Sequence, residues 1–188
     1  WLRVLYCYPD ETNEELLDVL RNNPKICPYL DIPIQHINAE LLRRMHRRGT
    51  REDILRCIRG AKDRNLTIRT TLIVGFPGET EEQFENTLKA MTELELDYSN
   101  TASYSPRERT VAAKWIDKYI PEEVKTERLA RLNEHNRACC LKSNKKYLGR
   151  EMEVLIENYE GVNKRGISVI TGRTRNNKIV HIPCDRDL

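Results

Sequence analysis

The sequence predicts an α/β domain over residues 1–148 followed by a small all-β domain over residues 149–188. Three observations point there. Apolar strand-like runs alternate with amphipathic helical segments through the first half of the chain, one long charged helical stretch then interrupts the alternation, and short β-branched segments fill the remainder. Strands separated by helices imply a parallel sheet, because each parallel connection needs a crossover.

Taken in order, "WLRVLYCY" (residues 1–8) reads as a short apolar strand, and "ETNEELLDVLRNN" sets Leu16, Leu17 and Leu20 on one helical face. "YLDIPIQ" (residues 29–35) reads as a second strand whose pairing stops at Pro33, which has no backbone N–H. Asn38 is placed to cap a helix carrying Leu41, Leu42 and Met45 that ends at Gly49. Thr50 with Asp53 caps the next helix, through Ile54, Ile58 and Ala61. "TIRTTLIVGF" (residues 67–76) is β-branched throughout, with an apolar end that predicts burial on both faces. A helix over residues 81–95 and a fourth strand, "DYSNTASYS" (residues 97–105), follow. "PRERTVAAKWIDKY" shows no clear period and reads as a loop. Pro121, Glu122 and Glu123 then open a long helix that runs to about residue 147 and ends at Gly149. After it come "EMEVLIENY", "ISVITGRT" and "KIVHIP", three short strands, which put the domain boundary near residue 148.

Composition narrows the classes. Charged residues make up 32% of the chain, apolar residues 39%, and the mean hydropathy is −0.68. No apolar run approaches the ~18 residues of a membrane span, and no secretory leader pattern opens the sequence. A formal charge of +3 is too small to mark a nucleic-acid binder, although local clusters can still make a phosphate-binding face. The six cysteines show no CxxC and no histidine at zinc-finger spacing, which reads as reduced thiols in a cytoplasmic protein. Cys139 and Cys140 are adjacent on a helix and read as packing residues. His36, His46, His135 and His181 give no metal spacing, and His36 reads as a surface or packing residue.

The densest pattern is "TLIVGFPGETEEQF", residues 71–84. Glycines between a strand and a helix suggest a phosphate cradle, but a P-loop needs GxxxxGK[ST] and a dinucleotide turn needs GxGxxG, and neither spacing is present. Two glycines three apart still let a ligand approach the backbone, and Thr80 with Gln83 forms a capping box that fixes the helix start. A well-capped turn in any α/β domain fits the same residues.

"IVGFPGETEEQF" resembles the fifth-strand motif of radical S-adenosylmethionine enzymes, specifically the methylthiotransferases. "LDIPIQH", "RRMHRRGTRED", "YSPRERTVAAKW", "IPEEVKTERLARL" and "GRTRNNKIV" resemble the same family in the same order, so the likeness covers essentially the whole chain. It implies the second half of a radical-SAM (β/α) partial TIM barrel followed by a partial β-barrel domain of the TRAM type. It also implies S-adenosylmethionine and [4Fe-4S] clusters as cofactors, with sulfur and then methyl inserted at an unactivated C–H bond. Ile73 and Gly75 are then expected beside the adenosyl group, with Glu79 completing a GxIxGxxE-like element whose first glycine is replaced by Thr71. Gln35 and Arg69 become candidates for the cofactor's polar end or the substrate, Arg69 through paired hydrogen bonds to a carboxylate. A solvated arginine at a strand start is the plain alternative for Arg69. Tyr104 and Ser105 are expected to border the adenine, or Tyr104 is a core aromatic with its hydroxyl in water.

The cluster chemistry needs a CxxxCxxC loop of thiolates, and these 188 residues contain no such spacing. The chain is therefore expected to be a fragment, with no catalytic residue or metal ligand of its own and no ability to cleave S-adenosylmethionine. For the substrate, "WLRVLYCYPD", "YLDIPIQH" and "RRGTRED" resemble the RimO branch, which methylthiolates an aspartate of a small-subunit ribosomal protein. "YSPRERTVAAKW", "NKKYLGREMEVLIE" and "GRTRNNKIVHIP" resemble the MiaB branch, which modifies an isopentenylated adenosine of tRNA. Arg109 and Val111 depart from the usual glycine and proline of that block. Arg173, Arg175 and Lys178, around an Asn176–Asn177 turn, are expected to make a positive edge for RNA phosphate, which favours the tRNA reading. An ordinary solvated hairpin fits the same residues, and Lys142, Lys145 and Lys146 either extend the surface or only favour the helix end. A non-catalytic RNA- or ribosome-binding module is the third reading. Neither a membrane nor DNA is expected as a partner.

Overall fold

The computed structural model describes residues 1–162 and 166–184. Two three-stranded sheets organise the chain. The first is parallel, in the order β1 (Tyr29–Asp31), β2 (Thr67–Val74) and β3 (Tyr98–Ser103), with β2 central. Its crossovers are α2 (Ala39–Arg44) and α3 (Arg51–Asp63) between β1 and β2, and α4 (Glu81–Glu93) between β2 and β3. Helix α1 (Glu14–Asn22) precedes the sheet. Helix α5 (Glu122–Lys145) packs along β3 and α4 and leads to the second sheet. That sheet is antiparallel, β4 (Val154–Val162), β5 (Ser168–Thr174) and β6 (Ile179–Cys184), with β5 central.

The helix starts follow the capping residues. Asn13 and Asn38 accept backbone N–H groups of α1 and α2, and Thr50–Asp53 and Thr80–Gln83 form complete capping boxes at α3 and α4. Inward residues of these helices, Leu17, Leu20, Leu42, Ile58, Phe84 and Met91 among them, form one core with Leu30, Ile68, Leu72 and Val74 of the sheet. Burial pushes the Cys57 thiol up to about 11 even though Thr12 hydrogen-bonds it, so this cysteine is an inert packing group. Cys139 packs on the same core and Cys140 lies against Asn136.

Two expected strands are corrected. Residues 1–8 form no strand: their strand-like pairing is limited to the Leu2–Ile26 bridge and to Cys7 N–H donating to the Asp31 carbonyl, and Tyr6, at φ 60°, breaks any ladder between. The parallel sheet thus has three strands among the described residues. The run 29–35 ladders only as far as Asp31. Beyond it the Thr70 hydroxyl donates to the Ile32 carbonyl and accepts from Ile34 N–H, filling in around Pro33, before Gln35 bridges to Leu72. The loop after β3 contains two short 3-10 turns, Ala112–Lys114 and Ile116–Lys118.

Candidate functional site

In a parallel sheet, ligands bind outside the carboxyl ends of the strands, where loops converge. Here that end holds a cleft of about 770 Å³, within the range of small-molecule sites. Alternation along β2 points Thr67, Arg69, Thr71 and Ile73 to one face, and Thr71 and Ile73 floor the cleft beside Ala102 of β3. Gln35 borders it, held by its N–H to the Thr71 carbonyl (2.8 Å) and its carbonyl to Ile73 N–H (2.9 Å), with a left-handed φ of 67°. That conformation is costly for glutamine and persists because both backbone bonds fix it.

Tyr104, just past β3, closes the other side. It meets Phe76 edge-on at 5.3 Å, and Phe76 in turn meets Trp115 at 6.1 Å, so three rings form an apolar wall. Burial, then the neighbouring Tyr119, raises the Tyr104 phenol above its ordinary range, so it stays protonated at neutral pH. Gln35 Oε1 and the Tyr104 hydroxyl are buried with no hydrogen-bond partner among the described residues. Orphaned polar atoms are rare inside proteins, and two lining one cleft mark a place for a polar ligand.

Glu79 has a different role from the one expected. It is buried away from the cleft, where one carboxylate oxygen accepts from Gly75 N–H and Arg128 (2.7 Å each) and the other faces His36 Nε2 at 3.1 Å. His36 Nδ1 accepts from Asn38 N–H, which leaves Nε2 to carry the hydrogen that meets Glu79. Glu79 therefore fixes the Gly75 turn. At Gly75, φ is 72°, and a Cβ there would collide with the Lys125 stem, so its missing side chain makes room for α5.

Arg69 does not line this cleft. It lies toward the start of β2, away from Gln35, and pairs with buried Asp31 at 2.8 Å. It lines a second cleft with Arg173 and Lys178, between the parallel sheet and the β5–β6 turn. Each of the three hairpin cations has a partner within the molecule. Arg173 pairs with Glu157, Arg175 donates to the Pro24 and Ile26 carbonyls over the Trp1 ring, and Lys178 donates to Ser143. Burial lowers the Lys178 pKa, the mark of an amine kept from water. The turn has Asn177 at φ 64°, as the asparagines suggested, but Asn176 is buried against Thr174.

Residues 2–91 match the model of the radical SAM superfamily. The chain is 42% identical to the ribosomal protein uS12 methylthiotransferase RimO of Natranaerobius thermophilus, over 84% of the chain and 36% of that protein. It is 38% identical to the tRNA-2-methylthio-N(6)-dimethylallyladenosine synthase of Caldicellulosiruptor saccharolyticus, over 97% of the chain and 38% of that protein. The chain belongs to the radical SAM methylthiotransferase family. It spans well under half the length of these curated relatives. In fold it is similar to coproporphyrinogen III oxidase (HemN) from Escherichia coli, with a TM-score of 0.62 at 16% identity, covering 98% of this chain and 51% of that one. The archaeal Elp3 of Methanocaldococcus infernus gives 0.54 at 14% identity, over 96% and 55%.

Membership of the family implies S-adenosylmethionine and a [4Fe-4S] cluster. The cleft fits the first: it offers an orphan acceptor at Gln35, an orphan hydroxyl at Tyr104 and an apolar floor. It does not fit the second, since no three metal-ligating side chains converge among the described residues. No helix among the described residues is long and apolar enough to cross a membrane. Sequence reasoning overlooked Arg44, Arg47 and Phe76, all on this cleft, and Trp115, which packs behind Phe76 and Arg44. The basic run "RRMHRR" was the available signal for the first two.

Proposed function

We propose that this chain supplies one wall of the S-adenosylmethionine site of a methylthiotransferase that acts on a ribosomal protein. The pair of orphaned polar atoms, Gln35 Oε1 and the Tyr104 hydroxyl, is the observation that carries the cofactor reading. Gln35 Oε1 can accept from an amino group, and the Tyr104 hydroxyl can donate to or accept from a hydroxyl or ring nitrogen. Ile73 and Ala102 give an apolar floor, and Phe76 and Tyr104, with Trp115 packed against Phe76, give an aromatic wall beside it. Bound there, S-adenosylmethionine supplies the C–H activation and the methyl group that the family uses. Glu79, through Gly75 N–H, His36 and Arg128, holds the turn that carries this wall.

A ribosomal-protein substrate is supported by the RimO relatives and by the hairpin, whose cations have partners inside the molecule. The tRNA reading, first favoured by those same cations, retains one support: the tRNA-modifying relative aligns over more of the chain than the RimO relatives do. Either substrate goes with a cytoplasmic setting. Taken alone, the chain is expected not to cleave S-adenosylmethionine. Reconstitution with iron and sulfide followed by an assay for 5'-deoxyadenosine tests this, and product would overturn it. Calorimetric titration tests the site itself: S-adenosylmethionine is expected to bind the chain, with Tyr104→Phe and Gln35→Ala each weakening it by about tenfold. Absence of binding, or binding by both variants as tight as by the unsubstituted chain, sinks the cofactor reading.

A further inference from the structure

One face of the parallel sheet carries two clefts. Thr71 and Ile73 floor the first, at the carboxyl ends of the strands. Thr67 and Arg69, earlier on the same face of β2, floor the second, a space of about 780 Å³ at the amino ends. Asn176, Asn177 and Lys178 of the β5–β6 turn line it as well, and Arg3 joins from the N-terminal segment. The S-adenosylmethionine reading makes no use of this space.

The carboxylates that line it are already engaged. Asp97 accepts from Lys62, Ser143 and Ile68 N–H, and Glu157 pairs with Arg173, while Arg69 is held by Asp31. Several donors are not. Tyr29 is 2% exposed, and its hydroxyl has no hydrogen-bond partner among the described residues: Arg69 and Asn177 lie near it without reaching bonding geometry. Burial, then Asp31, raises this phenol above its ordinary range, so it keeps its proton and remains a donor. Arg3 donates through Nη2 to the Thr174 carbonyl at 2.9 Å, while its buried Nε has no partner among the described residues. Among the same residues Lys178 donates to the Ser143 hydroxyl at 3.3 Å and has no carboxylate within ion-pair distance. Orphaned buried donors are rare, and here they line one space together with a cation that lacks a counter-charge.

We propose that this second cleft binds a phosphate monoester, whose terminal oxygens take hydrogens from the Tyr29 hydroxyl, Arg3 Nε and Lys178 Nζ. The donors select the group. A dianionic phosphate carries three terminal acceptor oxygens set tetrahedrally, which suits donors supplied by three separate parts of the chain: β1, the N-terminal segment and the hairpin. A carboxylate has two oxygens in one plane and suits a single guanidinium fork. An RNA phosphodiester has two free oxygens, one charge and a sugar on each side, so it is poorly shaped to reach a hydroxyl as buried as that of Tyr29; RNA binding draws instead on many phosphates along a surface. A phosphate bound here joins residues of both sheets and adds to the contacts that hold the second one in place. The inference is independent of the cofactor reading.

Calorimetric titration of the full chain tests this with four probes: phenyl phosphate, inorganic phosphate, benzoate and an anticodon stem-loop RNA. Phenyl phosphate is expected to bind at least about tenfold tighter than benzoate, and Tyr29→Phe and Lys178→Gln are each expected to weaken it by about tenfold. Because Tyr29→Phe deletes a hydroxyl without a partner, its thermal unfolding temperature without ligand is expected to match that of the parent chain. With phenyl phosphate present, hydrogen exchange is expected to slow in β5 and β6, an effect that Tyr29→Phe should reduce. Failure of phenyl phosphate to bind, benzoate binding as tight, or binding that both variants leave unchanged overturns the proposal. Binding of inorganic phosphate without phenyl phosphate overturns it as well, as an adventitious ion only. A lower unfolding temperature for Tyr29→Phe overturns it by giving the hydroxyl a partner inside the protein. Stem-loop binding with a steep salt slope that Lys178→Gln abolishes, without binding of phenyl phosphate, overturns it in favour of RNA.

Discussion

The two sheets have three strands each, yet they are stabilised differently. Leu30, Ile68, Leu72 and Val74 of the parallel sheet are each no more than 1% exposed, sealed by helices on the flanks. In the antiparallel sheet Leu155, Ile156, Tyr159 and Ile179 remain about half exposed, and Ile170 is its only buried apolar residue among those described. The first sheet holds itself by a core. The second is tied to its neighbour by polar contacts: Arg3 to the Thr174 carbonyl, Arg175 to the carbonyls of residues 24 and 26, and Lys178 to Ser143. Parallel strands with crossover helices are covered by their own connections, whereas a short meander has no such cover and depends on what it docks against.

Removing the buried anion beside the parallel sheet should have the largest effect. Glu79→Ala leaves Arg128 buried without its main partner and frees Gly75 N–H, and should cost about 3–5 kcal/mol in urea denaturation. Next comes a matched pair. Leu72→Ala in the parallel core should cost about 2–5 kcal/mol, and Leu155→Ala on β4 no more than about 0.5 kcal/mol. Equal costs would dissolve the contrast between the sheets.

Gly172→Ala probes the backbone of the weaker sheet. A Cβ on Gly172 would run into the Leu155 carbonyl and the Val154 side chain, so the β4–β5 pairing must open, at a cost of about 1–3 kcal/mol. Arg175→Ala removes two charge-assisted bonds to carbonyls and the contact with Trp1. It should speed amide exchange in β5 and β6 while leaving β2 protected, with about 1 kcal/mol lost overall.

The smallest effect concerns pH. Burial by itself would raise the Asp97 carboxyl, but Lys62 at 2.7 Å, Ser143 and the Ile68 amide together hold it below its ordinary value. A carboxylate depressed in the folded state stabilises fully above its unfolded pKa, and the contribution is lost as pH falls through the folded one. Asp97→Asn should therefore flatten stability below about pH 4, where the parent chain loses it.

Much of the parallel domain was legible because its signals are local. The caps at Asn38, Thr50 and Thr80 require a side chain and an N–H within three residues, and α2, α3 and α4 start where those residues stand. The β-branched run at residues 67–74 and the three short strands after the long helix appeared as read. The failures involve partners distant in sequence. Residues 1–8 have a strand's composition but no ladder, and nothing local announces the turn at Tyr6. Arg175 looked free for phosphate because Pro24 and Ile26 lie about 150 positions away.

The sequence by itself determined the family and the alternation of elements from residue 14 onward, and pointed to Ile73 and Tyr104, which the structure places on one cleft, since these follow from short-range pattern and motif. Only the tertiary structure decided the charges: it buried Glu79 between His36 and Arg128, turned Arg69 to Asp31, and gave the hairpin cations partners within the molecule. The physical reason is that periodicity records which face of an element is apolar, whereas whether a charge is free depends on carboxylates and carbonyls brought beside it by the fold.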